Sequence, residues 1–181
     1  GYGQTGPYRD KPGFGVIGEA MGGLRYLTGQ PGEPSVRVGV SIGDSLSALY
    51  AVIGTLLALQ ERNRSGLGQE IDVALYESVF AMMESLLPEF DASGQIREPS
   101  GSALPGITPS NAYRCQGGDY VLIAGNGDSI FKRLMGVIGR DDLANDPALA
   151  HNDGRSQQAE MIDAAIQIWT EEHPRDAILQ A

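Results

Sequence analysis

The stretch from Ser45 to about Asn63, "SLSALYAVIGTLLALQERN", constrains this chain more than any other. Leu46, Leu49, Val52, Ile53, Leu56 and Leu57 make its first half apolar nearly all round, so a helix here is expected to be buried. Gly66 and Gly68, just beyond the charged segment, are its stop signals. Before it, Val36–Ile42 alternates apolar with small or polar residues and reads as a strand. After it, Gln69–Ala74 reads as a short strand with Ile71 and Val73 on one face, and Tyr76–Leu87 as a second helix stopped by Pro88. This alternation predicts an α/β unit.

Residues 1–36 contain ten of the 25 glycines, together with Pro7, Pro12, Pro31 and Pro34. Such a density of breakers predicts irregular chain, with a short helix over Val16–Leu24. Residues 91–110, "DASGQIREPSGSALPGITPS", are too rich in Gly, Ser and Pro for a regular element and read as a crossing between domains. Beyond them Asn111–Cys115, the turn "QGGD" and Tyr120–Ala124 predict a β-hairpin. Asp128 is placed to cap a helix with Phe131, Leu134, Met135 and Ile138 on one face, closed by Gly139. A further helix is expected over Gln157–Glu172, with Met161, Ile162, Ala165, Ile168 and Trp169 inward. The second half thus reads as a small α+β domain.

At 181 residues and 41% apolar content the chain can build a real core. Its net charge is −10, and no basic run alternates with aromatics, so a nucleic-acid partner is not expected. Residues 1–75 carry six basic and seven acidic side chains against seven and sixteen in the rest, which makes the acidity a solvated surface of the second half. The single cysteine, Cys115, allows neither an internal disulfide nor a Cys-x-x-Cys knuckle, as suits a reducing cytoplasm. The longest apolar run, Ala48–Leu59, is shorter than a bilayer requires, and no signal-peptide pattern is present, so a cytoplasmic chain without a membrane partner is expected. The first residue is not Met and a helix opening after Pro174 has no C-cap glycine, which reads as the middle of a longer protein.

Three features are candidates for chemistry. "GFGVIG", Gly13–Gly18, has the spelling of a dinucleotide-binding turn, but "YRDKP" before it cannot be the buried strand that motif needs, so close backbone packing is the better reading. His151 and His173 have no nearby Cys and no His-x-x-x-His spacing; surface histidines are expected and no metal site. Asp44 stands where the predicted strand turns into the apolar helix. One reading makes it an N-cap, its side chain accepting from the N–H of Leu46 or Ser47. The other makes it a nucleophile, kept ionised by the helix dipole at the ligand-binding end of a strand, with Gly43 and Ser45 leaving room for a substrate.

"GYGQTGPYRDKPGFGVIGEAMGGLRYLTG", "VRVGVSIGDSLSALYAVIGTLLALQERNRSGLGQEIDVALYESV" and "NAYRCQGGDYVLIAGNGDSIFKRLMGVIGR" occur in this order along nearly the whole chain. Together they resemble the family III (CaiB/BaiF) CoA-transferases, which include formyl-CoA transferase, carnitine CoA-transferase and the α-methylacyl-CoA racemases. Members are about twice this length. The resemblance implies that residues 1–88 belong to a Rossmann-like large domain, 89–104 to a linker and 105–181 to a small α+β domain, in an interlocked homodimer. A missing N-terminal portion would supply most of the CoA pocket.

It also implies that Asp44 is both cap and nucleophile, that the substrates are an acyl-CoA thioester and a carboxylic acid, and that no cofactor is tightly bound. Lys11 lies near a CoA-contacting basic position or has a neutral surface role. The racemase branch has a histidine where this chain has Phe14, which is a core residue otherwise, and many transferases have an Asp at Gly15. The active-site glycine loop of formyl-CoA transferases aligns loosely with Gly101, Ser102 and Gly106, or these form an ordinary linker. Alternatives to a transferase are a racemase-like enzyme and a non-catalytic scaffold with Asp44 only as a cap.

Overall fold

A computed structural model describes all of residues 1–181. The chain divides into two compact units, residues 1–101 and 102–181. The architecture is mixed α/β, with helices throughout and one small sheet.

The first unit contains α1 (Gly15–Met21), α2 (Leu24–Leu27), α3 (Ile42–Ser65), α4 (Leu75–Phe80) and α5 (Leu86–Ser93). α1, α3 and α4 pack against one another. Gly18, the last glycine of "GFGVIG", and Gly22 serve this packing. A Cβ on Gly18 would lie 2.9 Å from the Leu75 Cβ, and one on Gly22 would lie 2.6 Å from the Val79 Cβ, so bare Cα atoms let α4 approach the backbone of α1. Val79 and Ala74 are fully or almost fully buried there. The N-terminal segment closes over the same region, with the Leu75 N–H donating to the Gly1 carbonyl at 3.0 Å and the Gln4 N–H to Asp72 Oδ2 at 2.7 Å.

Several expectations are corrected here. Neither 36–42 nor 69–74 is a strand. Both alternate correctly, but a strand needs a ladder of hydrogen bonds to a partner strand, and neither segment has one: the Val36 N–H donates to the Thr28 carbonyl at 2.8 Å and no ladder continues from it. α3 begins at Ile42 rather than Ser45, with Ser41 as its N-cap. Its apolar side chains are not buried: Leu49, Val52, Ile53, Leu56 and Leu57 are all more than half exposed, and Gly43 is its one buried residue. By length and composition α3 could cross a membrane, so the shortness of Ala48–Leu59 does not carry over to the whole helix. The helix expected over 76–87 breaks after Phe80, and Glu84 takes a positive φ of 52°. Pro88 does not stop it but sits in the first turn of α5, where its missing N–H costs nothing. α5 in turn occupies residues 89–93 of the segment read as linker.

The second unit opens with β1 (Ser110–Arg114) and β2 (Tyr120–Ala124), antiparallel, with Ala112 opposite Leu122. Gly117 and Gly118, at φ 89° and 94°, supply the left-handed backbone of the turn. α6 (Asp128–Val137), α7 (Asp141–Ala144), a 3-10 turn (Pro147–Leu149), α8 (Asn152–Gln157), α9 (Ala159–Glu171) and α10 (Arg175–Gln180) follow. Gly127, not Asp128, is the N-cap of α6; Asp128 is its first residue. Tyr113, Phe131, Met135, Leu149, Ile162 and Ile166 form the core. The inward stripe of α9 is Ile162, Ala165 and Ile166, with Trp169 partly buried, whereas Ile168 points out at 63% exposure and Met161 is also exposed.

Polar side chains fasten this core. Gln167 imitates a strand, accepting from the Arg114 N–H at 3.1 Å and donating to the Arg114 carbonyl at 3.0 Å. Asp163 accepts from the Tyr113 hydroxyl at 2.6 Å and from Asn111 Nδ2 at 2.8 Å. Burial first, and the Asp163 hydrogen bond second, push the Tyr113 hydroxyl far above its ordinary range. Arg155 is wholly buried and donates to the carbonyls of Thr108, Leu149, Ala150 and Asn126 and to Asp128 Oδ1. His151, expected at the surface, is exposed and pairs with Asp128 at 2.9 Å. His173 is instead half-buried, stacked on the Trp169 ring with Nδ1 donating to the Trp169 carbonyl at 2.7 Å.

Candidate active site

Asp44 is the third residue of α3, not its N-cap. Counting from the cap at Ser41, it has a full turn of helix to project from, and its carboxylate lies within reach of the positive end of the helix dipole. The side chain is exposed and makes no hydrogen bond or ion pair. Its neighbours do not compete for it, because Ser45 Oγ donates to the Ser41 carbonyl and Ser47 Oγ to the Gly43 carbonyl. An exposed, unpartnered carboxylate on a rigid helix can attack an electrophilic carbonyl.

Gly15, the first residue of α1, forms the floor beneath it. A Cβ on Gly15 would stand 2.7 Å from Asp44 Oδ2 and 3.4 Å from Oδ1, so the carboxylate rests over a bare Cα. Gly43 is buried against the same helix, its own missing Cβ 3.4 Å from the Gly15 carbonyl oxygen. The structure therefore brings Gly15 and Asp44 together from segments far apart in sequence. Phe14, the N-cap of α1, is 71% exposed and so is not a core residue.

Lys11 lies with Nζ 3.9 Å from the centre of the exposed Tyr8 ring, a cation–π contact that leaves its charge open to solvent. Gly101 belongs to the first unit, where its N–H donates to the Gly29 carbonyl at 2.9 Å and its φ is 65°. Ser102 and Gly106 belong to the second. Ser102 Oγ donates to Asn111 Oδ1, and the Gly106 carbonyl accepts from Asn152 Nδ2 at 2.7 Å and Ser156 Oγ at 3.1 Å. No three His, Cys, Asp or Glu side chains stand together as a metal ion would require.

Two charged residues beside the site were not singled out by the sequence. Glu19, on α1, is 1% exposed, and its Cγ lies 3.9 Å from where a Gly43 Cβ would be. Arg37 pairs with it, Nη2 to Oε1 at 3.7 Å. The available signal was Glu19's spacing of four from Gly15 on one helix, which places both on one face.

The model of the family "CoA-transferase family III" matches residues 1–181. The chain is 48% identical over 178 residues to the succinyl-CoA–D-citramalate CoA-transferase of Chloroflexus aurantiacus, covering 98% of this chain and 44% of that protein. It is 37% identical to the succinyl-CoA–L-malate CoA-transferase beta subunit of the same organism, over 99% of this chain and 45% of that one. Among solved structures, a CaiB/BaiF family protein from Brucella suis superposes with a TM-score of 0.78 at 33% identity, covering 99% of this chain and 47% of that chain. The chain thus spans about half the length of these relatives. With a family model matched from end to end and a fold shared with a solved CaiB/BaiF structure, the chain belongs to CoA-transferase family III.

Proposed function

We propose that the protein carrying this chain transfers CoA from an acyl-CoA thioester to a carboxylic acid, with Asp44 as the nucleophile. One observation carries the reading: an exposed carboxylate without a hydrogen-bond partner stands in the first turn of a 24-residue helix, over the bare Cα of Gly15. An Asp44 oxygen attacks the thioester carbonyl, the C–S bond breaks, and CoA thiolate leaves an acyl-aspartyl anhydride. The thiolate then attacks the Asp44 carbonyl carbon, releasing the donor acid and leaving an aspartyl-CoA thioester. The acceptor carboxylate attacks that thioester to give a second anhydride and thiolate, and the thiolate's attack on the acceptor's acyl carbon forms the new acyl-CoA and restores Asp44. Each intermediate keeps its acyl group activated, so water has to be kept from it.

The names of the relatives support a short dicarboxylic acid as substrate, since citramalate, malate and the succinyl donor all carry a second carboxylate. In this reading residues 1–88 complete a Rossmann-like large domain with an N-terminal portion that holds CoA, 89–104 is the linker and 105–181 the small domain. The protein is a cytoplasmic, interlocked homodimer, and the apolar side chains of α3 are covered by protein rather than lipid. Lys11 and the segment Gly101–Gly106 are assigned to CoA binding and to the active-site loop. A racemase finds no support at Phe14, which offers no group to carry a proton. The scaffold reading differs in a single outcome. Full-length protein given acyl-CoA and hydroxylamine should yield a hydroxamate at Asp44 by mass spectrometry. Persistent absence of that label across a panel of acyl-CoAs would favour the scaffold.

A further inference from the structure

Glu19 is buried on α1, and its Oε1 accepts no hydrogen bond. Taking a carboxylate out of water is costly unless a cation and hydrogen bonds compensate it. The cation here is Arg37, whose Nη2 is 3.7 Å away, close enough for attraction but beyond a hydrogen bond. Arg37 is half exposed and has no other ion pair or hydrogen bond, so the N–H groups of its guanidinium remain open to a ligand.

The location of this pair gives it a use. Gly15 and Glu19 are one turn apart on the same face of α1, which sets them about 5–6 Å from each other. Asp44 rests over the first and Arg37 pairs with the second. A short dicarboxylate reaching for both would place one carboxylate at the nucleophile and the other at a planar fork of donors, the geometry in which Arg binds carboxylates in bidentate fashion.

We propose that Arg37 is the specificity-determining residue that takes the distal carboxylate of a dicarboxylic substrate, and that Glu19 is the positioning residue that holds its guanidinium in place. The proposal rests on the reading of Asp44 as the nucleophile. Glu19 orients Arg37 before the substrate arrives, so less side-chain freedom is lost on binding. The same fork receives the distal carboxylate of a succinyl donor and of the acceptor, because each in turn occupies the acyl site at Asp44. A monocarboxylic acid reaches Asp44 but leaves Arg37 unused.

The test uses full-length protein at saturating succinyl-CoA, with L-malate, D-citramalate and glutarate compared with monocarboxylic acids of matched length. Acids that turn over slowly are measured as competitive inhibitors. Arg37→Gln should raise KM for the dicarboxylates roughly 10- to 100-fold, the usual worth of a charged hydrogen-bonded pair, with kcat and the monocarboxylate constants little changed. Arg37→Lys should recover part of that loss, and Glu19→Gln should raise the dicarboxylate KM by a smaller factor. A merely structural pair would lower kcat or thermal stability for all acids alike. If Arg37→Gln fails to fold, Arg37→Lys decides the matter by the same ratio of dicarboxylate to monocarboxylate KM. An unchanged ratio in a protein whose Asp44→Asn variant is inactive overturns the role of Arg37 and leaves the nucleophile standing. Full activity in Asp44→Asn overturns the nucleophile itself.

Discussion

Replacing Asp44 separates its chemical role from its helical one, and the structure sets the size of each effect. As an N-cap, Asp44 would lose little on replacement by Asn, whereas Ala would cost about 0.5–2 kcal/mol. The residue is instead the third of α3, exposed, and its side chain accepts no backbone hydrogen bond. What it contributes to stability is its charge near the helix N-terminus, about 0.3–1 kcal/mol at a surface site. Ala recovers about half a kcal/mol through helix propensity, which Asn does not. The expected order is therefore the reverse of a cap's, with Asp44→Ala as stable as Asp44→Asn or more so, and both within about 1 kcal/mol of the parent. Transfer should fall by at least about 10⁴-fold in both, as when other covalent nucleophiles are removed. Thermal unfolding and kcat/KM for CoA transfer are to be read on the same full-length samples, with mass spectrometry to exclude deamidation of Asn back to Asp. Near parental transfer by Asp44→Asn would refute the covalent mechanism. A loss of stability confined to Asp44→Ala would refute the placement of Asp44 inside the helix.

Arg155→Met should destabilise the second unit by about 3–5 kcal/mol in chemical denaturation, because four carbonyls and Asp128 lose a fully buried donor that Met cannot replace. Gly154→Ala should cost about 1–3 kcal/mol although Ala favours helices, since its Cβ would stand 1.8 Å from the Ala148 carbonyl oxygen and no side-chain rotation relieves a backbone overlap; an unchanged melting temperature would contradict the packing of α8 on the 3-10 turn. The Asp128 carboxyl is held below its ordinary 3.8 by the Arg155 hydrogen bond first and the His151 hydrogen bond second. A lowered folded-state value stabilises the protein above the ordinary value, and that contribution fades as pH falls through the lowered one. Acid unfolding monitored by circular dichroism should therefore become less steep below about pH 4 in Asp128→Asn.

By itself the sequence determined the elements whose hydrogen bonds and burial close locally. The hairpin around "QGGD" needs only two adjacent runs and a turn that glycine makes possible, and α6 needs only its period and its closing Gly139, so both stand where the residues indicate. The separated motifs also indicated the family, because their order along the chain requires no structure to read. The tertiary structure alone decided whatever depends on a distant partner. Residues 36–42 and 69–74 alternate like strands but meet no strand to pair with, and alternation cannot provide one. The apolar pattern of α3 announces a helix but not which surface covers it, and within these residues its leucines face outward. Asp44 was legible as a charged residue at the start of that helix. Its position as the third residue of the first turn, over Gly15, and the placing of Arg37 by the buried Glu19 were not, because they arise where α1, α3 and a loop meet, and such proximity in space follows from packing rather than from any spacing along the chain.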